Sequence, residues 1–298
     1  MAANNNTIKY GKSIGDRREG RLIRSLPASQ RLTPFLERER SDACNSYFDQ
    51  MEVTDIEQWI LAKRSEGWQN MGLLHLVIAA YIRTVSMRPG INRFVSGSRI
   101  YLRNDIQVVL QFRSGPAAAG VSSSVKLSFS AMDTVFDVYH AVNEAIDRVK
   151  ASTDGSDADR LAASLVKLPA FLLRPLTGIL RSMDRHDWLP QRFLEHSPYH
   201  ASLGIVDLGS LGIQPSVHHI PSFGSIPLYL CFGAKRRFFE PDKDGNLRER
   251  RYVDYRITAD GRIADAYYFA GALKCFKYFL SNPQQLELPP ERVEDDLL

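Results

Sequence analysis

The hydrophobic period changes along this chain, and the order of those changes constrains the fold more than any other feature. Between residues 71 and 88, Leu74, Val77, Ile78, Tyr81, Ile82 and Val85 recur at steps of three and four, which is one face of a helix. Met87, Arg88, Pro89 and Gly90 stop it. NRFVSGSRIYLRNDIQVVLQFR then reads as two strands with a turn at Ser96–Ser98, and Val121 to Ser130 keeps a period of two. Thr134–Lys150 returns to a helical period, with Val135, Val138, Tyr139, Val142, Ile146 and Val149 on one side. Residues 202–237 form a Gly-rich, strand-forming run. Asp242–Asn246 is a turn, RRYVDYRIT a strand, and ADAYYFAGALKCFKYFL a helix ended by Asn282-Pro283. Helices, then strands, then a last helix predict one α+β domain with a mixed sheet.

The flanks carry weaker signals. Residues 1–20 are expected to be a flexible arm, 21–288 the folded domain, and 289–298 an extended acidic tail. Pro34 is placed to open a first helix, and Thr54 or Asp55 to cap a second one after a short strand. Ser152–Arg160 reads as a polar loop. Leu161–Leu180 is apolar, but Lys167 and Arg174 charge it and Pro169 and Pro175 cut it, so broken helices covering a core are expected rather than a membrane span. A membrane-surface role is the lesser alternative for that segment.

Charge and motifs exclude several classes. The chain has 38 Lys+Arg against 34 Asp+Glu, a net charge of +4 that gives no electrostatic reason to expect nucleic acid. Cys44, Cys231 and Cys275 are too scattered for a disulfide framework or a cysteine-rich zinc site, and fit a reduced, cytoplasmic setting. The sequence contains no P-loop, no G-x-G-x-x-G in a strand-to-helix context and no G-x-S-x-G elbow. His196 and His200 have metal spacing on a helix, but Pro198 lies between them and no metal site is predicted. The adjacent pair His218-His219 stands out. On a strand these two would point to opposite faces, so one at most enters a given pocket.

Two segments carry a resemblance. Gly204-Ile205-Val206-Asp207-Leu208-Gly209 matches a T-I-S-N-L-G run, and Gly261-Arg262-Ile263-Ala264-Asp265-Ala266 occupies an H-R-V-x-D-G motif, with Asn282-Pro283 at the matching distance beyond. Over residues 30–285 the order and spacing of these motifs resemble the catalytic core of the dihydrolipoyl acyltransferases of 2-oxo acid dehydrogenase complexes. That resemblance implies a chloramphenicol acetyltransferase-like mixed β-sheet flanked by helices. In the family the motif histidine takes a proton from the thiol of coenzyme A or dihydrolipoamide, and the serine or threonine hydrogen-bonds the oxyanion. Here those positions are Gly261 and Val206, and neither side chain can do either job. Losing a general base costs about 10²–10⁴ in rate, and losing an oxyanion donor roughly another 10²–10³.

The resemblance therefore implies a short member with a degenerate motif. It implies a homotrimer, possible assembly into something larger through the tail, and coenzyme A or an acyl-CoA as ligand, with no required cofactor and no lipoyl attachment site. Asp265 matches the motif aspartate, expected to pair with an arginine, brace the loop and cap the last helix. Arg262 matches the motif arginine. The competing reading is an active CoA-dependent acyltransferase whose base is His218 or His219, oriented by Asp207 or Asp265. A third reading is a partner-binding subunit of a true complex. Arg236 and Arg237, in a basic hairpin with Arg248, Arg250 and Arg251, are candidates for the phosphates of a CoA-like ligand.

Overall fold

The structure is a computed structural model that describes residues 13–40, 42–114, 121–151 and 167–296. Its element order is β1 (Gly20–Leu22), α1 (Ala28–Leu36), β2 (Cys44–Glu52), α2 (Thr54–Ser65), α3 (Leu73–Met87), β3 (Arg93–Ser96), β4 (Arg99–Arg103), β5 (Ile106–Ser114), β6 (Val121–Phe129), α4 (Val135–Ala151), α5 (Ala170–Arg185), α6 (Gln191–His196), β7 (Leu203–Asp207), β8 (Leu228–Pro241), β9 (Leu247–Asp260) and α7 (Ala266–Ser281). Six strands form one mixed sheet in the order β2-β9-β8-β7-β5-β6. The short strand β7 pairs parallel to both β5 and β8; the other pairings are antiparallel. A smaller antiparallel sheet, β1-β4-β3, stands apart. Its β3–β4 turn has positive φ at Gly97 and Ser98, the geometry a tight two-residue hairpin needs.

The core lies between the large sheet and α3, with α7, α4 and α2 around it. The one-sided pattern expected of α3 is too modest: Leu76, Val77, Ile78, Ala80 and Ile82 are fully buried, and so are its polar residues. Each of those side chains makes a hydrogen bond, local for Thr84, Ser86 and His75 and distant for Arg83. Thr84 Oγ1 donates to the Ala80 carbonyl at 2.7 Å and Ser86 Oγ to the Arg83 carbonyl at 2.7 Å. Arg83 donates to the carbonyls of Gln285 and Leu288. His75 Nδ1 accepts from the Gly72 amide at 3.0 Å, and burial holds its pKa down at about 4.

Several expectations at the flanks are corrected. Residues up to 12 lie outside the described ones, but the inner end of the expected arm is packed. Arg17 is buried and donates to the carbonyls of Asp184 and Arg185, and Glu19 pairs with Arg103 at 3.0 Å. The tail is anchored as well: the Glu294 amide donates to the Ser86 carbonyl, and Asp296 takes a two-point ion pair from Arg93, one arm 2.6 Å long. Pro34 sits inside α1 near its end rather than opening it. Val53 holds the cap position of α2, and Thr54 instead accepts from the Arg251 amide at 3.0 Å. NRFVSGSRIYLRNDIQVVLQFR folds as three strands, not two.

The apolar stretch Leu161–Leu180 is also corrected where it is described; residues 161–166 and the 152–160 loop lie outside. Helix α5 runs straight through Pro175. It does not cover a core with its whole apolar surface: Phe171, Leu172 and Ile179 are exposed. None of the described helices is long and apolar enough to cross a membrane.

Candidate functional site

The loop 261–265 joins β9 to α7, and every polar group in it is committed to holding it still. Asp265 caps α7: its Oδ1 accepts from the Tyr268 amide at 2.8 Å. The arginine pairing expected of that carboxylate belongs instead to Asp260. Arg262 donates to Asp260 through Nε at 2.8 Å and Nη2 at 2.7 Å, both side chains being nearly inaccessible. Arg262 Nη1 reaches on to the carbonyls of Glu37 and Arg38 at the end of α1. Gln30 and Arg93 both donate to the Ile263 carbonyl.

Gly261 is closed to any larger residue. Its amide donates to the Ala43 carbonyl at 2.7 Å. A Cβ built on it would lie 2.9 Å from that same oxygen and 2.7 Å from the Asn45 amide nitrogen. Val206 is buried in β7, in register with Gln111 of β5 and Cys231 of β8. Its neighbour Asp207 accepts from the Ser210 amide at 3.1 Å, and burial raises its carboxyl pKa. Asp207 and Asp265 are thus each tied to a backbone amide.

His218 and His219 lie in an irregular segment between β7 and β8, not on a strand. They still diverge. His218 is half-buried, its ring centroid 6.2 Å from that of Tyr229 and its Nε2 3.3 Å from Ser216 Oγ. Burial, then the charge of His219, lowers its pKa. Burial likewise pushes the Tyr229 hydroxyl up to about 12. His219 is exposed and lines a cavity of about 490 Å³ with Leu180, Tyr199, Pro221 and Phe223.

A second cavity, of about 760 Å³, shares Arg181, Ser222 and Phe223 with the first. The end of α1, the β3–β4 turn and α5 enclose it, and they bring Arg38, Arg99, Arg181 and Arg185 to its wall. Arg236 and Arg237 are elsewhere, on the β8–β9 hairpin. Arg236 pairs with Asp254 at 2.5 Å and Arg237 lies 3.7 Å from Glu249.

Motif reading missed one constellation. Ser197 Oγ is 2.8 Å from His200 Nδ1, and His200 Nε2 is 3.2 Å from Asp184 Oδ1. Ser197 Oγ also accepts from the Tyr199 amide, so its proton points to Nδ1 and the imidazole donates to Asp184. His200 is fully buried, and this chain of bonds ties α5 to the entry of β7. Among the described residues, no group of His, Cys, Asp and Glu has a metal-binding arrangement.

No family model matches the chain, and no curated protein matches it. Solved structures do. A probable dihydrolipoamide acetyltransferase from Listeria monocytogenes aligns with a TM-score of 0.53 at 13% identity, covering 87% of this chain and 94% of that one. A chloramphenicol acetyltransferase gives 0.53 at 12% identity over 88% and 99%. A truncated catalytic core of the 2-oxoacid dehydrogenase multienzyme complex from Thermoplasma acidophilum gives 0.51 at 11%, over 88% and 99%. Likeness at such low identity is likeness of fold, and the fold of this chain is that of the chloramphenicol acetyltransferase-like acyltransferase cores: a mixed sheet flanked by helices.

Proposed function

We propose that this protein is an acyltransferase-fold scaffold that binds an acyl-CoA-like ligand and does not carry out thiol-activated transfer at the motif position. One observation carries the reading. The motif alignment puts Gly261 where the family's histidine stands, and the space a side chain would need there is taken by the Asn45 amide and the Ala43 carbonyl. No base fits there without displacing the Asn45 side chain and the Ala43 carbonyl. The hydrophobic Val206 in place of an oxyanion-binding hydroxyl supports the same conclusion. The exposed apolar residues of α5 support assembly into a trimer, with light scattering expected to return three times the chain mass.

The test is transfer of acetyl from acetyl-CoA to dihydrolipoamide by the purified protein. The expected result is no turnover above buffer. A second reading, an active enzyme with a relocated base, is favoured by the place of His219 on the wall of an apolar cavity. Turnover that survives in His218→Ala and disappears in His219→Ala would establish that reading and reject the first.

A further inference from the structure

We propose that α5 and the exposed side of α1 form a docking surface for an anionic phospholipid bilayer. The apolar stripe of α5 enters the acyl boundary and its arginines meet the headgroups. The inference goes beyond the scaffold reading and does not depend on it.

The pattern along α5 is the first argument. Phe171, Leu172, Pro175 and Ile179 follow one another at steps of one, three and four, and all are exposed, Phe171 by 73% and Ile179 by 56%. Arg174, Arg181 and Arg185, at steps of seven and four, are exposed along the adjoining line. The other side of the helix turns to the protein: Leu173, Leu176, Leu180 and Met183 are half-buried, and Asp184 is buried. Solvent therefore meets an apolar line and a cationic line side by side. That is the division of a helix lying in the plane of a bilayer interface. Lys167 and Leu168, both exposed in the turn before α5, add one residue of each kind.

Charge complementarity fixes the occupant. Among the described residues, no carboxylate pairs with Arg174, Arg181 or Arg185. Across the larger cavity from Arg181 and Arg185 stand Phe35 and Arg38. There Leu32, Phe35 and Leu36 make a second exposed apolar turn, flanked by Arg31 and Arg38. Trp188, exposed and stacked on His186 with ring centroids 5.0 Å apart, follows the C-terminal end of α5. Rings of that kind settle at headgroup level. A neighbouring copy seated on the stripe would keep the bilayer from it, but three copies can still meet through other faces of the fold. Such a copy also brings the same net charge of +4 to the arginines, whereas an anionic bilayer answers both lines at once.

Flotation of the full chain with vesicles of equal parts phosphatidylglycerol and phosphatidylcholine tests the surface, with pure phosphatidylcholine vesicles as the control. The chain is expected to float with the anionic vesicles only, and to be released as salt screens the headgroups. Trp188 is the most exposed of the three tryptophans, so the fluorescence should shift to the blue on binding, and Trp188→Phe should remove that shift. Arg174→Gln with Arg181→Gln should weaken binding at least about tenfold. Phe171→Ser with Ile179→Ser should do the same, because the stripe no longer gains by leaving water. All four positions are exposed, and an unchanged melting temperature verifies each fold. The inference is overturned if the anionic vesicles leave the chain unbound or hold it no better than the neutral ones, or if either double variant floats as the parent does. It is equally overturned if Phe171→Ser with Ile179→Ser splits an oligomer seen by light scattering and the parent oligomer does not float, since the stripe then belongs to a neighbouring copy. An oligomer that persists in that variant while flotation is lost assigns the stripe to the bilayer.

Discussion

The two arginine-rich regions of this molecule have opposite electrostatics. On the β8–β9 hairpin the arginines are crowded in sequence, and Arg237 lies directly across from Arg251 in the ladder. Yet each finds a carboxylate: Arg236 with Asp254, Arg248 with Asp242, Arg250 with Glu52, Arg251 with Glu57. The hairpin is a latticework of exposed pairs with little net field. Around the larger cavity Arg38, Arg99, Arg181 and Arg185 come from α1, β4 and α5, far apart in the chain, and none of them pairs with a carboxylate among the described residues. Density in sequence is thus a poor guide to density of free charge. What counts is whether the fold brings an acid to each base, here from a diagonal strand position, the turn, β2 and α2.

Arg262 is the sharpest way to break this division, because it lines the cavity but is paired like a hairpin residue. Arg262→Ala leaves Asp260 buried and alone, and should cost about 3–5 kcal/mol in denaturant unfolding. A cost near zero would mean the pair is not what holds the loop. Next comes acid. Arginines of both regions keep their charge, so an acid-induced loss above the carboxylate range comes from other groups, and the buried His75 is placed to supply the larger part, with His218 lowered in the same direction. The folded pKa of His75, about 4, lies below the unfolded 6.5, so the unfolded chain binds more protons in between. The contribution of His75 is therefore full above pH 6.5 and falls by about 3 kcal/mol on the way down to pH 4. Urea titrations of His75→Gln over that range should show a flatter slope.

A smaller effect is expected at Gly261. Gly261→Ala presses a methyl against the Ala43 carbonyl and should cost about 1–3 kcal/mol. Gly261→His should be less stable still and gain no acetyl transfer. Smallest is the hairpin: Arg236→Ala should change stability by less than about 1 kcal/mol in denaturant unfolding. A loss as large as that of Arg262→Ala would erase the distinction between exposed and buried pairs.

Much of the fold was readable from residue order. The apolar spacing over Val135–Val149 and the Pro-Gly stop after Met87 mark α4 and α3 because local period and local punctuation decide them. β2 was harder to see, since CNSYFDQME has little alternation and owes its conformation to nine residue pairings with β9. The capping role of Asp265 was legible from its place before the last helix. The partner of Arg262 was not, because Asp260 precedes the motif and only the turn of the chain brings the two together. The cavity and the Ser197–His200–Asp184 chain were hidden for the same reason: contact there is made by tertiary packing, and no spacing rule spans it.

The pairing of β2 with β9 also governs how this chain reaches its native state. Cys44 meets Asp260, so one border of the main sheet stays without its neighbour until β9, some two hundred residues further along, has been made. The middle strand β7 is only five residues long and is gripped from both sides in parallel, an arrangement with few local contacts to start it. Closure of the sheet accordingly waits on long-range pairing, and until β9 arrives β2 presents an unpaired rim of N–H and C=O groups.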